Sequence, residues 1–361
     1  MAESKVNHWL VQFCLAPETA GRIVVIGTSL GTVYPQDQTD NEFYDQDIPS
    51  SSESSALLLA PVSGRSSTDI GVVTRASSST QKPIFLTYVD DSDDKPIPSV
   101  DQIKGFNVLA LGFYTGIQGP MDSAAWWESQ GDSKQKALKK AYTDAGIKLI
   151  VSIFGGSEEE MHITSKVNET AAAGLAKRVG DWVIKNNLDG VDVDFEDFDA
   201  MKDGTGVPWL VTFQKALRSA LPSSSYVISH TPGAWLFANG KGQYVDVHKQ
   251  VGDTIDWFYN AGPQEYTTCD SLLKESSSQF PQTALFEIMK SGIPQEKIVL
   301  GKPATKQNAG QGNMDASALA KCLATAKGSG WSGGVMGWEY PEANSAWITT
   351  VRSESWPVEE V

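Results

Sequence analysis

The sequence contains few histidines and few cysteines, and their scarcity excludes several kinds of catalytic and metal site. Four histidines are dispersed along 361 residues, so a histidine-based catalytic triad has little to draw on. The three cysteines, Cys14, Cys269 and Cys322, lack the spacing of metal ligands and are compatible with free buried thiols or with at most one disulfide. The sequence therefore predicts no metal site.

Positive charge and long apolar runs are also lacking. Asp and Glu outnumber Lys and Arg by 44 to 29, which gives a net charge of -15 and argues against nucleic acid as a partner. The acids are spread along the chain rather than grouped, so they bear on solubility more than on a ligand. No apolar run approaches the roughly 20 residues of a membrane-spanning helix, so we expect no membrane span. We expect a monomer.

A clear secretory signal is missing as well. The run from Trp9 to Ala16 is apolar, but Glu3 precedes it and no small-residue cleavage pattern follows. The sequence leaves the localisation open and favours an intracellular protein slightly over a secreted one.

The first 82 residues differ in composition from the rest of the chain. The segment from Pro49 to Thr80 is rich in serine and is interrupted by three leucines, which is typical of a largely disordered extension. We therefore divide the chain into an N-terminal extension over 1–82 and a folded domain over 83–361. A propeptide, an interaction arm and a wrongly chosen start codon all remain open for the extension.

Short β-branched runs alternate with helical stretches after residue 82, as in a parallel sheet built by crossover connections. The predicted strands are Ile84–Val89, Phe106–Tyr114, Lys148–Phe154, Gly190–Glu196, Tyr226–His230, Ile255–Asn260, Ile298–Lys302 and Gly334–Trp338. The predicted helices are Ser133–Ala145, Glu169–Asn187, Val207–Ala220, Cys269–Ser291 and Asp315–Lys327. Eight strands with intervening helices predict a (β/α)8 barrel, in which functional residues sit at the carboxyl ends of the strands.

The fourth predicted strand carries alternating acids. Period-two alternation puts Asp192, Asp194 and Glu196 on one face and apolar side chains on the other. Buried carboxylates are costly, so this face should line a polar cavity. Neighbouring acids about 6.6 Å apart would disturb one another's pKa, and one of them should be protonated near neutral pH. An acidic edge strand or a calcium loop is the alternative, although the calcium-loop ligand spacing is missing.

This stretch resembles the active-site signature of glycoside hydrolase family 18, an Asp-Gly-x-Asp-x-Asp-x-Glu run that ends in the proton donor. Asp189, Gly190, Asp192, Asp194 and Glu196 match it. The resemblance implies a hydrolase of β-1,4-linked N-acetylglucosamine and no metal or organic cofactor. It implies that Glu196 protonates the leaving oxygen and that the substrate's own acetamido group attacks, with Asp194 holding that group and Asp192 sharing a proton with Asp194.

Other stretches extend the resemblance over roughly residues 83–350. Ser152, Gly155 and Gly156 are similar to the family's Ser-x-Gly-Gly element with one additional residue, and either substrate contact or a tight turn explains the glycines. Tyr259 and Asn260 look like the tyrosine element of plant-type chitinases, which implies that the Tyr259 phenol binds the acetamido carbonyl. A tyrosine of the core is the alternative for Tyr259.

Tryptophans complete the set of candidate sugar-binding residues. Trp338 matches the tryptophan that forms the floor under the cleaved sugar in this family, with a tryptophan of the core as the alternative. Trp235 and Tyr266, on loops after predicted strands five and six, are candidates for outer subsites. Of Trp126 and Trp127, we expect one in the core and one exposed.

Two other functions of the same fold remain open. An endo-β-N-acetylglucosaminidase that cuts the chitobiose core of N-glycans uses the same residues. A non-catalytic carbohydrate-binding lectin usually lacks the terminal glutamate, which is present here as Glu196. The interval from Lys302 to Gly334 is too short for the extra subdomain that walls the deep groove of many members of the family. The resemblance therefore implies an open, shallow, endo-acting cleft.

Overall fold

A computed structural model describes residues 83–90, 97–157, 159–238, 243–261, 266–309 and 312–359, without the side chains of residues 260 and 261. The predicted extension over 1–82 and Cys14 lie outside these residues. The domain boundary at residue 82 therefore stays a prediction.

Eight parallel strands of the described part of the chain form a closed (β/α)8 barrel, as predicted. The barrel closes because β1 pairs with both β2 and β8. A two-residue strand, Gly119–Pro120, adds an antiparallel hairpin to the end of β2. The strands are β1 (Ile84–Val89), β2 (Val108–Thr115), β3 (Lys148–Phe154), β4 (Gly190–Asp194), β5 (Val227–His230), β6 (Trp257–Ala261), β7 (Ile298–Pro303) and β8 (Gly334–Trp338).

Each strand divides its side chains between the barrel interior and the surrounding helices. On β6, Trp257 and Tyr259 belong to the interior cluster, whereas Phe258 packs in the outer layer with the helices. The strands are buried on both faces, which explains their largely apolar sequences. Polar side chains that enter the interior are therefore the exceptions that mark the site.

The helices lie outside the barrel and connect successive strands. One prediction is wrong: the stretch Cys269–Ser291 forms two short helices rather than one, because Pro281 cannot continue a helix and Gln282 takes a positive φ of 62°. The helices are α1 (Asp122–Ser129), α2 (Gly131–Asp144), α3 (Ile163–Lys166), α4 (Glu169–Lys185), α5 (Phe198–Asp203), α6 (Gly206–Ala220), α7 (Gln243–Val251), α8 (Cys269–Leu273), α9 (Leu285–Lys290), α10 (Lys306–Ala309), α11 (Ala316–Gly328) and α12 (Ser345–Arg352).

A disulfide joins two of the three cysteines. Cys269 at the start of α8 is bonded to Cys322 on α11, with 5.0 Å between their Cα atoms. This pairing selects the single-disulfide alternative that the sequence left open. Among the described residues, no helix is long and apolar enough to cross a membrane.

Candidate active site

The acid row lies at the carboxyl end of β4. The strand ends at Asp194 rather than at Glu196, so Glu196 lies in the loop that follows and not in the predicted strand. The chain leaves the sheet at this point because Asp197 already acts as the N-cap of α5. Asp192, Asp194 and Glu196 are nonetheless all buried, with exposed fractions of 0%, 6% and 3%.

Asp192 is surrounded by hydroxyl groups. Its carboxylate accepts hydrogen bonds from Tyr88 at 2.7 Å, Ser152 at 2.9 Å, Ser229 at 2.7 Å and Thr231 at 2.9 Å. Burial raises the pKa of Asp192, and these hydrogen bonds act in the opposite direction. Both oxygens are engaged, so Asp192 acts on its neighbours through charge rather than through direct contact with a ligand.

Asp194 and Glu196, in contrast, each keep one unoccupied oxygen. Asp194 Oδ1 and Glu196 Oε2 are buried and have no hydrogen-bond partner among the residues that the structure describes. Burial, followed by the charges of Glu196 and Asp192, raises the pKa of Asp194 well above its ordinary value. Burial raises the pKa of Glu196 to about 8. A carboxylic acid with this pKa is protonated at neutral pH and can donate its proton.

Aromatic side chains line the interior beside the acids. Tyr259 is fully buried, and its hydroxyl has no hydrogen-bond partner of good geometry within the described ranges. The Trp338 ring lies 5.1 Å from the Tyr88 ring and 6.3 Å from the Phe113 ring, measured between centroids. Tyr88 also lies 6.3 Å from Tyr259. The structure thus brings Trp338 and Tyr259 together with Tyr88, which bonds Asp192.

The predicted substrate-binding residues of β3 lie against the acid row. Ser152 is fully buried and donates its hydroxyl hydrogen to Asp192. Gly155 has a φ of +88° and donates its N–H to the Asp194 carbonyl at 2.9 Å, and a Cβ there would come within 3.2 Å of the Phe113 ring. This close approach supports the tight-turn alternative for Gly155. Gly156 follows it and is buried.

The remaining predicted sugar-binding residues are Asn260 and Trp235. The backbone of Asn260 continues β6 beside Tyr259, and its side chain is outside the described part of the structure. Trp235 is half-buried in a 3-10 helix after β5 and packs edge-on against Phe198, 5.5 Å away. Contact of these residues with a substrate stays a prediction.

Two aromatic predictions need correction. Tyr266 is only 1% exposed, and its hydroxyl contacts Thr283, so it packs in the core and cannot form an outer subsite. Trp127 is a core residue as expected, but Trp126 is half-buried rather than exposed and has the Lys134 ammonium 5.4 Å from its ring centre.

Three of the four hydroxyl groups around Asp192 were not predicted from the sequence. Tyr88, Ser229 and Thr231 come from β1, β5 and the residue after β5, so they are far apart in the sequence. A polar residue inside an otherwise apolar strand was the available signal, since burial requires each such group to find a partner. Ser229 shows that pattern within Val-Ile-Ser-His.

Two further carboxylates, also missed, tie the loops at the mouth of the barrel together. Asp197 accepts hydrogen bonds from the Thr164 backbone N–H at 3.0 Å and hydroxyl at 2.7 Å, and from the Ala200 N–H at 3.1 Å. Glu160 accepts from the Gly116 N–H at 3.0 Å. These contacts connect the loops that follow β2, β3 and β4, and they fix the segment that carries Glu196.

No model of a known protein family matches the chain. A curated protein from Moniliophthora perniciosa, described as a chitinase-like effector, is 29% identical over 245 residues, which cover 60% of this chain and 53% of that protein. The chain thus spans about half the length of this relative.

Several solved chitinase structures are similar to this one. A family 18 chitinase from Pseudoalteromonas aurantia has a TM-score of 0.62 and 24% identity, covering 75% of this chain and 99% of that chain. A family 18 chitinase from Cycas revoluta, solved in a complex with allosamidin, has a TM-score of 0.55 and 13% identity, covering 76% and 99%. The chain therefore has the (β/α)8 barrel fold that its structural neighbours, the family 18 chitinases, also have.

Proposed function

We propose that the protein is a member of glycoside hydrolase family 18 and cleaves β-1,4 linkages between N-acetylglucosamine units, with Glu196 as proton donor. One observation carries the proposal: the buried Glu196 carboxyl, with a pKa near 8 and one unpartnered oxygen, lies directly after a strand that ends in Asp194. A buried acid that is protonated at neutral pH is what a leaving glycosidic oxygen requires. The Asp-Gly-x-Asp-x-Asp-x-Glu pattern and the chitinase folds of the structural neighbours support it.

In the proposed first step, the Glu196 proton moves to the glycosidic oxygen while the bond from this oxygen to the anomeric carbon breaks. The carbonyl oxygen of the 2-acetamido group forms a new bond to the same carbon and gives an oxazolinium ion. Asp194 accepts a hydrogen bond from the acetamido N–H through its unpartnered Oδ1. Its negative charge offsets the positive charge that develops on the ring.

Asp192 controls the ionisation of Asp194 during this step. Its charge raises the pKa of Asp194, and the two carboxyls share a proton that shifts toward Asp192 when Asp194 must be ionised. The four hydroxyl donors stabilise Asp192 in either state because hydroxyl groups both donate and accept.

The second step returns the enzyme to its starting state. Glu196, now ionised, removes a proton from water as the water oxygen attacks the anomeric carbon and opens the oxazolinium ring. The configuration at that carbon is thereby retained, and the substrate itself has supplied the nucleophile. Trp338 forms the floor under the cleaved sugar, and the Tyr259 hydroxyl holds the acetamido carbonyl. Ser152, Gly156, Asn260 and Trp235 are proposed to help bind the sugar chain, and Gly155 to shape the turn beside them.

A parallel assay tests the proposal. The purified protein is incubated with chitotetraose, with a matched oligomer that carries a free amine at the cleaved sugar, and with a high-mannose glycopeptide. We expect cleavage of chitotetraose with retention and very poor cleavage of the amine. Efficient cleavage of the amine, with an ester trapped on Asp194, would contradict the substrate-assisted mechanism, and exclusive cleavage of the glycopeptide would identify an N-glycan endoglycosidase.

The second candidate function is carbohydrate binding without hydrolysis. The similarity to a protein described as a chitinase-like effector favours it. The same assay, combined with titration calorimetry, decides between the two functions. A binding protein would bind chitotetraose in calorimetry and release no product in the assay.

A further inference from the structure

The barrel interior contains a polar hydrogen that the proposed mechanism leaves unused, on Trp257. Trp257 and Tyr259 are two residues apart on β6, so both side chains enter the barrel from the same face. Their exposed fractions are 1% and 0%, and both belong to the interior cluster. Within the described residues, neither the indole N–H nor the phenol hydroxyl has a hydrogen-bond partner of good geometry.

The two groups nevertheless lie close together. The rings meet edge to face, with centroids 6.2 Å apart and an interplanar angle of 76°. Burial and the charge of Asp192 raise the pKa of the Tyr259 phenol, whereas the indole N–H of Trp257 and the hydroxyl of Ser229 lower it. The indole N–H therefore lies near the phenol oxygen, without forming a hydrogen bond of good geometry.

Strand register places Trp257 beneath the proposed acetamido position. Trp257 is aligned with Ser229, and Ser229 with Asp192, so Trp257 lies in the same row of the barrel as Asp192. Tyr259 and Asp194 each follow two residues later and are nearer the carboxyl ends of the strands. A group held between Asp194 and Tyr259 therefore has Trp257 on the inner side of the phenol.

We infer that Trp257 is a positioning residue for Tyr259, an assignment that rests on the proposed function. An indole N–H can only donate, so it can bind the phenol only at its oxygen. The hydrogen of Tyr259 must then point elsewhere, and the acetamido carbonyl is the acceptor that the proposed substrate supplies. This carbonyl keeps one lone pair for the attack on the anomeric carbon. We expect the indole N–H and the phenol oxygen to move into hydrogen-bonding geometry when substrate binds, as is common in active sites.

Trp257→Phe tests the assignment, because it removes the N–H and keeps an aromatic ring. We expect kcat for chitotetraose to fall about tenfold, the effect of one lost hydrogen bond, with KM changed less than threefold. Trp182→Phe is the matched control: the indole N–H of Trp182 is also buried without a partner among the described residues, but it lies on α4 outside the barrel. Trp182→Phe should leave kcat unchanged.

A double-mutant cycle separates action through Tyr259 from direct contact with the sugar. In the Tyr259→Phe background, Trp257→Phe should cost nothing further. A tenfold loss that persists in that background, or a single variant within threefold of the wild-type kcat, overturns the assignment. If Trp257→Phe fails to fold, 3-benzothienylalanine at position 257 keeps the bicyclic shape and removes only the N–H.

An error in the proposed function can be distinguished from an error in the role of Trp257. A wild-type protein that binds a thiazoline derivative of N-acetylglucosamine without cleaving chitotetraose disproves the catalysis. The same cycle measured on the dissociation constant of this thiazoline then supports or overturns the role of Trp257. A wild-type protein that neither cleaves nor binds these sugars overturns both proposals.

Discussion

Glu196 combines burial with an unpartnered oxygen, and the substitution Glu196→Gln separates these properties from its acidity. The amide has nearly the same shape but cannot donate a proton to the leaving group. We expect kcat to fall by about 10²- to 10⁴-fold while the fold and sugar binding are retained. Kinetics on chitotetraose measure the loss, and Asp199→Asn, which removes an exposed acid three residues later, should have no effect. Activity of Glu196→Gln within threefold of wild type would show that another group is the donor.

The raised pKa of Glu196 also predicts how activity depends on pH. The donor is protonated below a pH of about 8 and ionised above it. We therefore expect kcat/KM to decrease as pH rises through about 8, with one proton lost. A profile that stays flat up to pH 10 would contradict this assignment.

The same pKa links Glu196 to stability. Because its pKa is higher in the folded than in the unfolded state, the protonated group stabilises the fold below the unfolded pKa of about 4.3, and this stabilisation is lost as pH rises through about 8. Glu196→Gln should therefore be more stable than wild type at pH 9, by up to about 5 kcal/mol, and similar to it at pH 4. Urea unfolding at both pH values measures the difference.

The acids were predictable at the scale of single residues and their hydrogen-bond partners were not. Alternation along one strand suffices to put Asp192 and Asp194 on the same face. Their neighbours depend on which strands become adjacent and on how they are staggered. Tyr88 is 104 positions away from Asp192 in the chain and meets it only because the barrel closes.

At the scale of elements, α5 is the helix that positions the proposed donor, and its N-cap can be tested. Asp197→Ala removes the cap and leaves the half-buried Thr164 N–H and hydroxyl without their acceptor. We expect a loss of about 2–3 kcal/mol in the free energy of unfolding, together with a lower kcat, because the Glu196 loop is less fixed. Urea unfolding and kinetics on chitotetraose measure the two effects.

Asp315→Ala is the control for that prediction. Asp315 caps α11 through the N–H groups of Ser317 and Ala318 on an exposed surface, so its loss should cost about 1 kcal/mol and leave kcat unchanged. Equal effects of the two substitutions would show that Asp197 is only a cap.

The boundaries of the strands could be predicted from the sequence, because each strand is marked by a single pattern. The ends of the eight predicted strands differ from the observed ends by at most two residues, because their apolar runs are flanked by turn residues. Glu196 falls outside its predicted strand because helix capping by Asp197 outweighs further pairing. The single helix predicted over Cys269–Ser291 is wrong because Pro281 interrupts it.

At the scale of the whole molecule, the count of predicted strands and helices was enough to predict the barrel. That residues 1–82 form a separate, largely disordered extension stays a prediction. We expect a chain without residues 1–80 to be soluble and to unfold cooperatively at the same temperature as the full chain. Calorimetry of the two proteins makes the comparison. Aggregation of the shortened chain would place part of the extension within the folded domain.

The Cys269–Cys322 bond makes part of the barrel topologically closed. With a sequence separation of 53, the bond forms a covalent ring that includes all of β7. A protease that cuts once in the segment between α8 and α9 leaves two fragments that remain tethered through sulfur and cannot diffuse apart. A reductant alone leaves the backbone intact. Only the two together divide the polypeptide into separate molecules, so nicked protein should migrate as one band without reductant and as two bands with it.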